Sequence, residues 1–176
     1  MSKTLILGGA RSGKSSLAES LAADSDSVIY IATATAFDTE MAQRIKLHQQ
    51  QRRKDWSVLE CPLLLAEALV KLSGSGQTLV VDCLTLWLNN QLYHHPEQDF
   101  TFARQQVADA VRQFQGNLFM VSNEVGMGIV PVGELNRLFV DQQGWLNQQL
   151  AKLCDQVIFV AAGLPLYLKR GPDAAN

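Results

Sequence analysis

"TLILGGARSGKSS", Thr4–Ser16, carries the strongest local signal in the chain. An apolar run, Thr4–Leu7, meets a glycine-rich turn, and a segment of helical character starts at Lys14. Gly8, Gly13, Lys14 and Ser15 satisfy the spacing G-x-x-x-x-G-K-[ST] between that strand and that helix. A loop of this kind wraps phosphate oxygens with backbone N–H groups, so its glycines must allow unusual dihedrals and close approach. The helix start adds partial positive charge, Lys14 reaches the outer phosphates, and Ser15 offers an oxygen to Mg²⁺. The reading is a site for a nucleoside triphosphate over Gly8, Gly9, Ala10, Arg11, Ser12, Gly13, Lys14 and Ser15.

Working outward, "VIYIAT" (Val28–Thr33), "TLVVDC" (Thr78–Cys83), "NLFMVS" (Asn117–Ser122) and "QVIFVAA" (Gln156–Ala162) are further runs of consecutive apolar residues. Runs without alternation suit strands covered on both faces, as in a parallel sheet. Segments of helical period separate them, at about 14–23, 39–54, 63–72, 84–92, 100–114 and 133–153. The last carries an apolar stripe, Leu135, Leu138, Phe139, Leu146, Leu150 and Leu153, and a break is expected near Gly144. This alternation predicts an α/β fold of the P-loop NTPase kind, a mainly parallel sheet with flanking helices. Gly163–Pro165 turns the chain into "LYLK", expected as an antiparallel edge strand, and residues from about 170 onward read as a frayed tail.

Composition narrows the function. The 176 residues suit one catalytic domain, and a net charge of −2 supplies no overall positive field for nucleic acid. Cys61, Cys83 and Cys154 are odd in number, far apart and in no C-x-x-C pair, so they read as reduced thiols of a cytoplasmic protein. No segment approaches the ~20 apolar residues of a membrane span.

A second group on the metal side should be an acid closing a buried strand, and Asp82 ends "TLVVD". The competing role for Asp82 is capping the helix that begins nearby. A switch GTPase reads guanine with an Asn-Lys-x-Asp element, whereas this chain has "SNEVGMG" at Ser122–Gly128. Asn123 and Glu124 either face the ligand there or belong to a plain glycine-rich connection.

His48 stands in "EMAQRIKLHQQQRRKDW". Met41, Ile45 and His48 fall at i, i+4 and i+7, which puts the histidine on the apolar face, directed toward the body of the protein. Alone, this is the pattern of a packed or hydrogen-bonded histidine, and the "RRK" after it is that of solvated charge at a helix end. His94–His95 reads as a solvated loop pair, with cobalt ligation as the alternative.

Taken together, "GGARSGKS", "IATA", "DTEMAQRIKLHQQQRRKDWSVLE", "VVDCLTLWLNN", "VSNEVGMGIVP" and "GWLNQQLAKLCDQVIFVAAGLPLYLK" resemble one family along nearly all the chain. It is the bifunctional adenosylcobinamide kinase/adenosylcobinamide-phosphate guanylyltransferase of cobalamin synthesis. The resemblance implies that a histidine in an H-x-x-x-R element, here His48 with Arg52, takes up GMP covalently. It also implies that Thr33, Ala34, Thr35, Gln49, Gln50, Gln51, Arg52, Glu60 and Asp82 belong to the nucleotide site, with Ser15 and Asp82 on Mg²⁺. GTP or ATP and adenosylcobinamide are the implied substrates, and a homotrimer the implied assembly. An apolar helix face at Leu84–Leu92, with Trp87 and Leu88, is either an interface or core.

Three positions depart from the family pattern: Arg53 where proline is frequent, Gln49 where a basic residue is common, and Val140 in place of an arginine. Rival readings are a small-molecule kinase with no covalent step and a RecA-like regulatory ATPase.

Overall fold

The apolar runs become strands of one sheet. The structure is a computed structural model that describes residues 1–36, 38–51, 53 and 55–171, with the side chains at 44, 48, 50 and 51 outside the description. In chain order the elements are β1 (Lys3–Gly8), α1 (Lys14–Ala22), β2 (Val28–Ala32), α2 (Thr39–Gln51), β3 (Ser57–Glu60), α3 (Leu65–Leu72) and β4 (Thr78–Asp82). They continue as α4 (Leu84–His94), α5 (Phe100–Gln113), β5 (Leu118–Asn123), α6 (Glu134–Leu153), β6 (Gln156–Ala161) and β7 (Leu164–Lys169). Among the described residues the sheet has seven strands, in the order β3-β2-β4-β5-β1-β6-β7. All neighbours are parallel except β6 and β7, an antiparallel hairpin at the edge. Ala162 and Gly163 form its turn with φ of 53° and 78°, the doubly positive pattern that matches the twist of two paired strands.

Alternate residues of the central strands serve two cores, as the two-residue period of a strand requires. Leu5, Ile29, Ile31, Leu79, Val81, Leu118 and Met120 face a large core closed by α3, α4, α5 and α6. Ile6, Tyr30, Val80, Val121 and Ile158 face a smaller one that takes Ala18 and Ala22 of α1 together with Trp56. The Leu84–Leu92 face resolves as core, since Trp87 and Leu88 are buried within the chain.

Four expectations need correction. Helix α6 runs unbroken through Gly144. Gln143, Leu146 and Asn147 are buried beside that glycine and hold the helix face in register, so conformational freedom at one position opens no gap. The α6 stripe is buried at Leu146 and Leu150, but Leu135 is 60% exposed, so its first turn stands off the core. Strand β3 was not expected, because "SVLE" is four residues long and exposed throughout. Helix α2 is described over Thr39–Gln51 and Arg53 is not helical, where a helix to Lys54 was expected; Arg52 and Lys54 lie outside the described residues.

The face assigned to α2 is also only partly realised. Met41 and Ile45 are half-buried, and none of the described α2 side chains is fully buried. Among the described residues, no helix is long and apolar enough to cross a membrane.

Candidate nucleotide site

Parallel pairing brings the C-terminal ends of six strands to one edge of the sheet. In register, Ala32 lies between Glu60 and Asp82, and Gly8 lies between Asn123 and Val160. Ligands of open parallel sheets bind beyond this edge. The residues foreseen for the site that end strands, namely Gly8, Glu60 and Asp82, all stand there.

The loop after β1 is built from backbone demands. A Cβ on Gly8 would come within 2.5 Å of both the Ser12 hydroxyl and the Val160 carbonyl oxygen, so the strand end tolerates only glycine. Gly13 has φ of 97°, a left-handed conformation that costs glycine little and other residues much. Arg11 is also left-handed, at φ 55°, and its side chain is exposed. The hairpin turn braces the loop from behind, with the Gly163 N–H donating to the Ser12 carbonyl at 2.9 Å. Helix α1 then starts at Lys14, and its first N–H groups point into the loop.

Lys14 is buried and folded over this loop, its Nζ donating to the Gly9 carbonyl at 2.9 Å. Burial pulls its ammonium below the ordinary lysine range, while Cys83 and Asp82 push it back up. The Cys83 thiol is itself raised to about 12 by burial and then by Asp82, so at neutral pH it stays a neutral thiol beside Lys14. Asp82 is half-buried at the end of β4 and accepts the Tyr30 phenol at 2.6 Å on Oδ2. The N-cap of α4 is Cys83, one residue on, so the capping role does not fall to Asp82. Ser15 is half-buried in the first turn of α1. A serine hydroxyl and a carboxylate near one cradle are hard oxygen donors of the kind Mg²⁺ takes while keeping waters and phosphate oxygens.

The loop after β5 is tied to the same cradle. The Glu124 N–H donates to the Gly8 carbonyl at 3.1 Å, and the Asn123 N–H donates to the Thr85 hydroxyl at 2.7 Å. The Glu124 carboxylate turns back onto the Gly126 N–H at 2.6 Å, which makes this a self-closed connection. Behind it lies a buried polar cluster that the sequence did not announce. Ser122 Oγ donates to Asn147 Oδ1 at 2.6 Å, Gln143 Nε2 donates to Ser122 Oγ at 2.9 Å, and Asn147 Nδ2 donates to the Asn123 carbonyl at 3.1 Å. The only hint was a set of amides at helical spacing in an otherwise apolar stripe.

Thr33, expected at the site, braces the end of β4. It is fully buried, and its hydroxyl donates to the Cys83 carbonyl at 2.7 Å while accepting the Cys83 N–H at 2.8 Å. The donor and one of the two acceptor positions of the hydroxyl are taken up by this bracing. Ala34 and Thr35 follow it, half-buried. Gln49 is exposed on α2, as is Glu60 at the end of β3. The backbone of His48, Gln50 and Gln51 lies on α2, their side chains are outside the description, and Arg52 lies outside the described residues. His94 and His95 are exposed, and among the described residues no group of three metal-ligating side chains gathers.

The cysteines give a check on the electrostatics. Cys61, Cys83 and Cys154 are free and buried. Burial raises the Cys61 thiol and pushes Cys154 up to about 12, as it does Cys83. Thiolate is the reactive form, so iodoacetamide at neutral pH is expected to leave all three unmodified in the native protein and to alkylate all three in denaturant. Mass spectrometry reads the result, and rapid native alkylation of Cys83 would contradict the assigned environment.

Comparison with known proteins adds the family. The model of the family described as CobU, cobinamide kinase / cobinamide phosphate guanyltransferase, matches residues 4–168. The bifunctional adenosylcobalamin biosynthesis protein CobP of Pseudomonas aeruginosa is 49% identical over 171 residues, covering 97% of this chain and 99% of that protein. The bifunctional adenosylcobalamin biosynthesis protein CobU of Escherichia coli is 36% identical over 178 residues, covering 94% and 98%.

Among solved structures, the P4 protein of bacteriophage phi6 in complex with ADP superposes with a TM-score of 0.51 at 14% identity, over 98% of this chain and 56% of that one. An ATPase of a bacterial type III secretion system gives 0.56 at 9% identity, over 94% and 56%. At such identities these likenesses show the fold, an α/β sheet of the P-loop kind. A family match running from the first strand to the last, on a chain whose phosphate cradle is built as described, leads to one conclusion: the chain belongs to the cobinamide kinase / cobinamide phosphate guanyltransferase family.

Proposed function

We propose that this chain acts as one catalytic domain that phosphorylates adenosylcobinamide and then transfers GMP from GTP to the phosphate so formed, with His48 carrying the GMP between the two. What supports the reading most is that the likeness to bifunctional relatives spans the phosphate cradle and the α2 segment alike.

In the kinase step the alcohol of the substrate attacks the terminal phosphorus, and the bond to the nucleoside diphosphate breaks. This step needs positioning and charge stabilisation more than covalent chemistry, and Lys14 with the loop N–H groups supplies both. Bound through Ser15 and Asp82, Mg²⁺ would supply charge neutralisation at the outer phosphate oxygens.

In the transferase step a neutral imidazole nitrogen of His48 attacks the α-phosphorus of GTP. A P–N bond forms, the bond to pyrophosphate breaks, and the other ring nitrogen gives up its proton. A phosphate oxygen of adenosylcobinamide phosphate then attacks the same phosphorus and expels the histidine, giving adenosylcobinamide-GDP. Arg52, one helical turn beyond His48 in sequence, is assigned to the phosphate oxygens, where a guanidinium pairs with them bidentately. Gln49, Gln50, Gln51, Glu60, Ala34 and Thr35 complete the assigned nucleotide surroundings.

The assembly we propose is a homotrimer. In its support, Met127, Ile129, Val130 and Val132 form an apolar run after β5 that stands exposed. Reduced, buried cysteines support action in the cytoplasm.

The test is incubation with GTP labelled at the α-phosphate, with and without adenosylcobinamide and ATP, followed by mapping of any modified residue. Label on His48 that is acid-labile, alkali-stable and discharged by adenosylcobinamide phosphate is expected. Phosphorylation without protein label would leave a simple kinase. Hydrolysis indifferent to adenosylcobinamide would leave a regulatory ATPase.

A further inference from the structure

Helix α2 belongs to an excursion that leaves the sheet after β2 and returns as β3. None of the described α2 side chains is fully buried, and every residue of β3 is exposed. Little core packing fixes this helix, so the two ends of the excursion set where it stands. Those ends meet at one place. The Cys61 N–H donates to the Ala32 carbonyl at 2.8 Å, and the Thr33 N–H donates to the Asp82 carbonyl at 3.2 Å.

One side chain ties the departing and returning strands together. Asn90 of α4 is 1% exposed, and its Nδ2 donates to the Thr33 carbonyl at 2.7 Å and to the Pro62 carbonyl at 3.1 Å. Its neighbours on the helix hold the next residue of the return, with Trp87 Nε1 and Gln91 Nε2 donating to the Leu63 carbonyl at 2.9 and 2.8 Å. Among the described residues, the Asn90 Oδ1 atom is buried without a hydrogen-bond partner. A position needed only for packing would be cheaper with an apolar residue, because an orphaned buried amide oxygen costs free energy. What the amide provides is its two donors, one to each leg of the excursion. The base they clamp adjoins Asp82, through the Thr33 hydroxyl on the Cys83 backbone.

We infer that Asn90, supported by Gln91, is a positioning residue for guanylyl transfer, fixing the base from which α2 carries His48 to the nucleotide. The inference rests on the His48 reading above. It separates the two half-reactions, because the kinase step draws on the phosphate loop and Asp82, while guanylyl transfer also requires α2 at the right distance.

The test compares the parent with Asn90→Ala and Gln91→Met in three measurements: GMP transfer from labelled GTP, phosphorylation of adenosylcobinamide, and amide hydrogen exchange. In Asn90→Ala, kcat for guanylyl transfer is expected to fall about tenfold or more, as small misplacements of a reacting group do, with kinase kcat held within about twofold. Exchange should quicken across Thr39–Gln51 and stay unchanged in β1, β4 and β5. Gln91→Met keeps Asn90 and removes one of two donors to Leu63, so a loss of about threefold in the same reaction alone is expected. Should Asn90→Ala not fold, Gln91→Met decides.

Equal losses in both reactions, or no change in their ratio, would overturn the inference. A parent that takes up no label overturns the His48 reading itself and this inference with it. A labelled parent with an unchanged ratio in the variants overturns only the role of Asn90.

Discussion

Lys14→Ala is expected to lower kcat/KM of both half-reactions by on the order of 10²-fold or more, the scale set by removing one preorganised donor from a site of developing charge. In the proposed scheme the same cradle holds the triphosphate whichever phosphorus is attacked, so one ammonium would serve both reactions. Its position is specific: buried, laid over the Gly9 carbonyl, with the Asp82 carboxylate as its neighbouring charge.

The loss should not arise from unfolding. Burial draws the Lys14 pKa down, which means the folded chain holds this charge at a cost, and the alanine variant should melt no lower than the parent. The linkage sign follows from that direction. A lysine depressed on folding penalises the folded state most below its folded pKa, and the penalty fades as pH rises toward its unfolded value. Lys14→Arg is expected to restore little, because a planar guanidinium does not fit where a point charge sits over a carbonyl. Separate assays of phosphoryl and guanylyl transfer check the expectation, and a Lys14→Ala kinase of parental rate would remove the shared cradle from the proposal.

What the sequence made legible was whatever depends on neighbours in the chain. The phosphate loop is largely local: Gly13 takes a left-handed dihedral, and Gly8 is closed off by the Ser12 hydroxyl four residues on as well as by the distant Val160 carbonyl. Strands buried on both faces announce themselves as unbroken apolar runs, which is why β1, β2, β4, β5 and β6 were readable. Strand β3 was not, since an exposed four-residue edge strand has no apolar run and takes its conformation from pairing with β2.

The polar residues that organise the site were hidden for a related reason. Thr33 was assigned to the site only through the family resemblance, and nothing local pointed to its partner, Cys83, fifty positions away. No local pattern marks Asn90, because the carbonyls it joins, at Thr33 and Pro62, are brought together only by the parallel crossover. Long-range pairing of this kind leaves no local pattern, so residue type and period could place Asp82 at a strand end but could not say what braces it.

The division of labour that follows puts the second large effect on α2. His48→Ala is expected to abolish protein labelling from GTP labelled at its α-phosphate, and with it formation of adenosylcobinamide-GDP, while phosphorylation of adenosylcobinamide persists within about threefold. Removing a nucleophile deletes a bond-forming partner, so the loss should reach the limit of detection and not scale with GTP concentration. The kinase step should survive because the groups assigned to it, Lys14, Ser15 and Asp82, sit on α1 and at the end of β4. Stability should also be little changed, since the described side chains of α2 contribute no fully buried residue to either core. His48→Asn sharpens the comparison, because the amide keeps hydrogen-bonding capacity but offers no nucleophilic nitrogen to phosphorus. Loss of label in both variants, with a working kinase and an unchanged melting temperature, assigns covalent transfer to that nitrogen. Label persisting in His48→Ala would move the acceptor elsewhere, and equal loss of both reactions would mean that α2 serves the shared cradle and not the transfer alone.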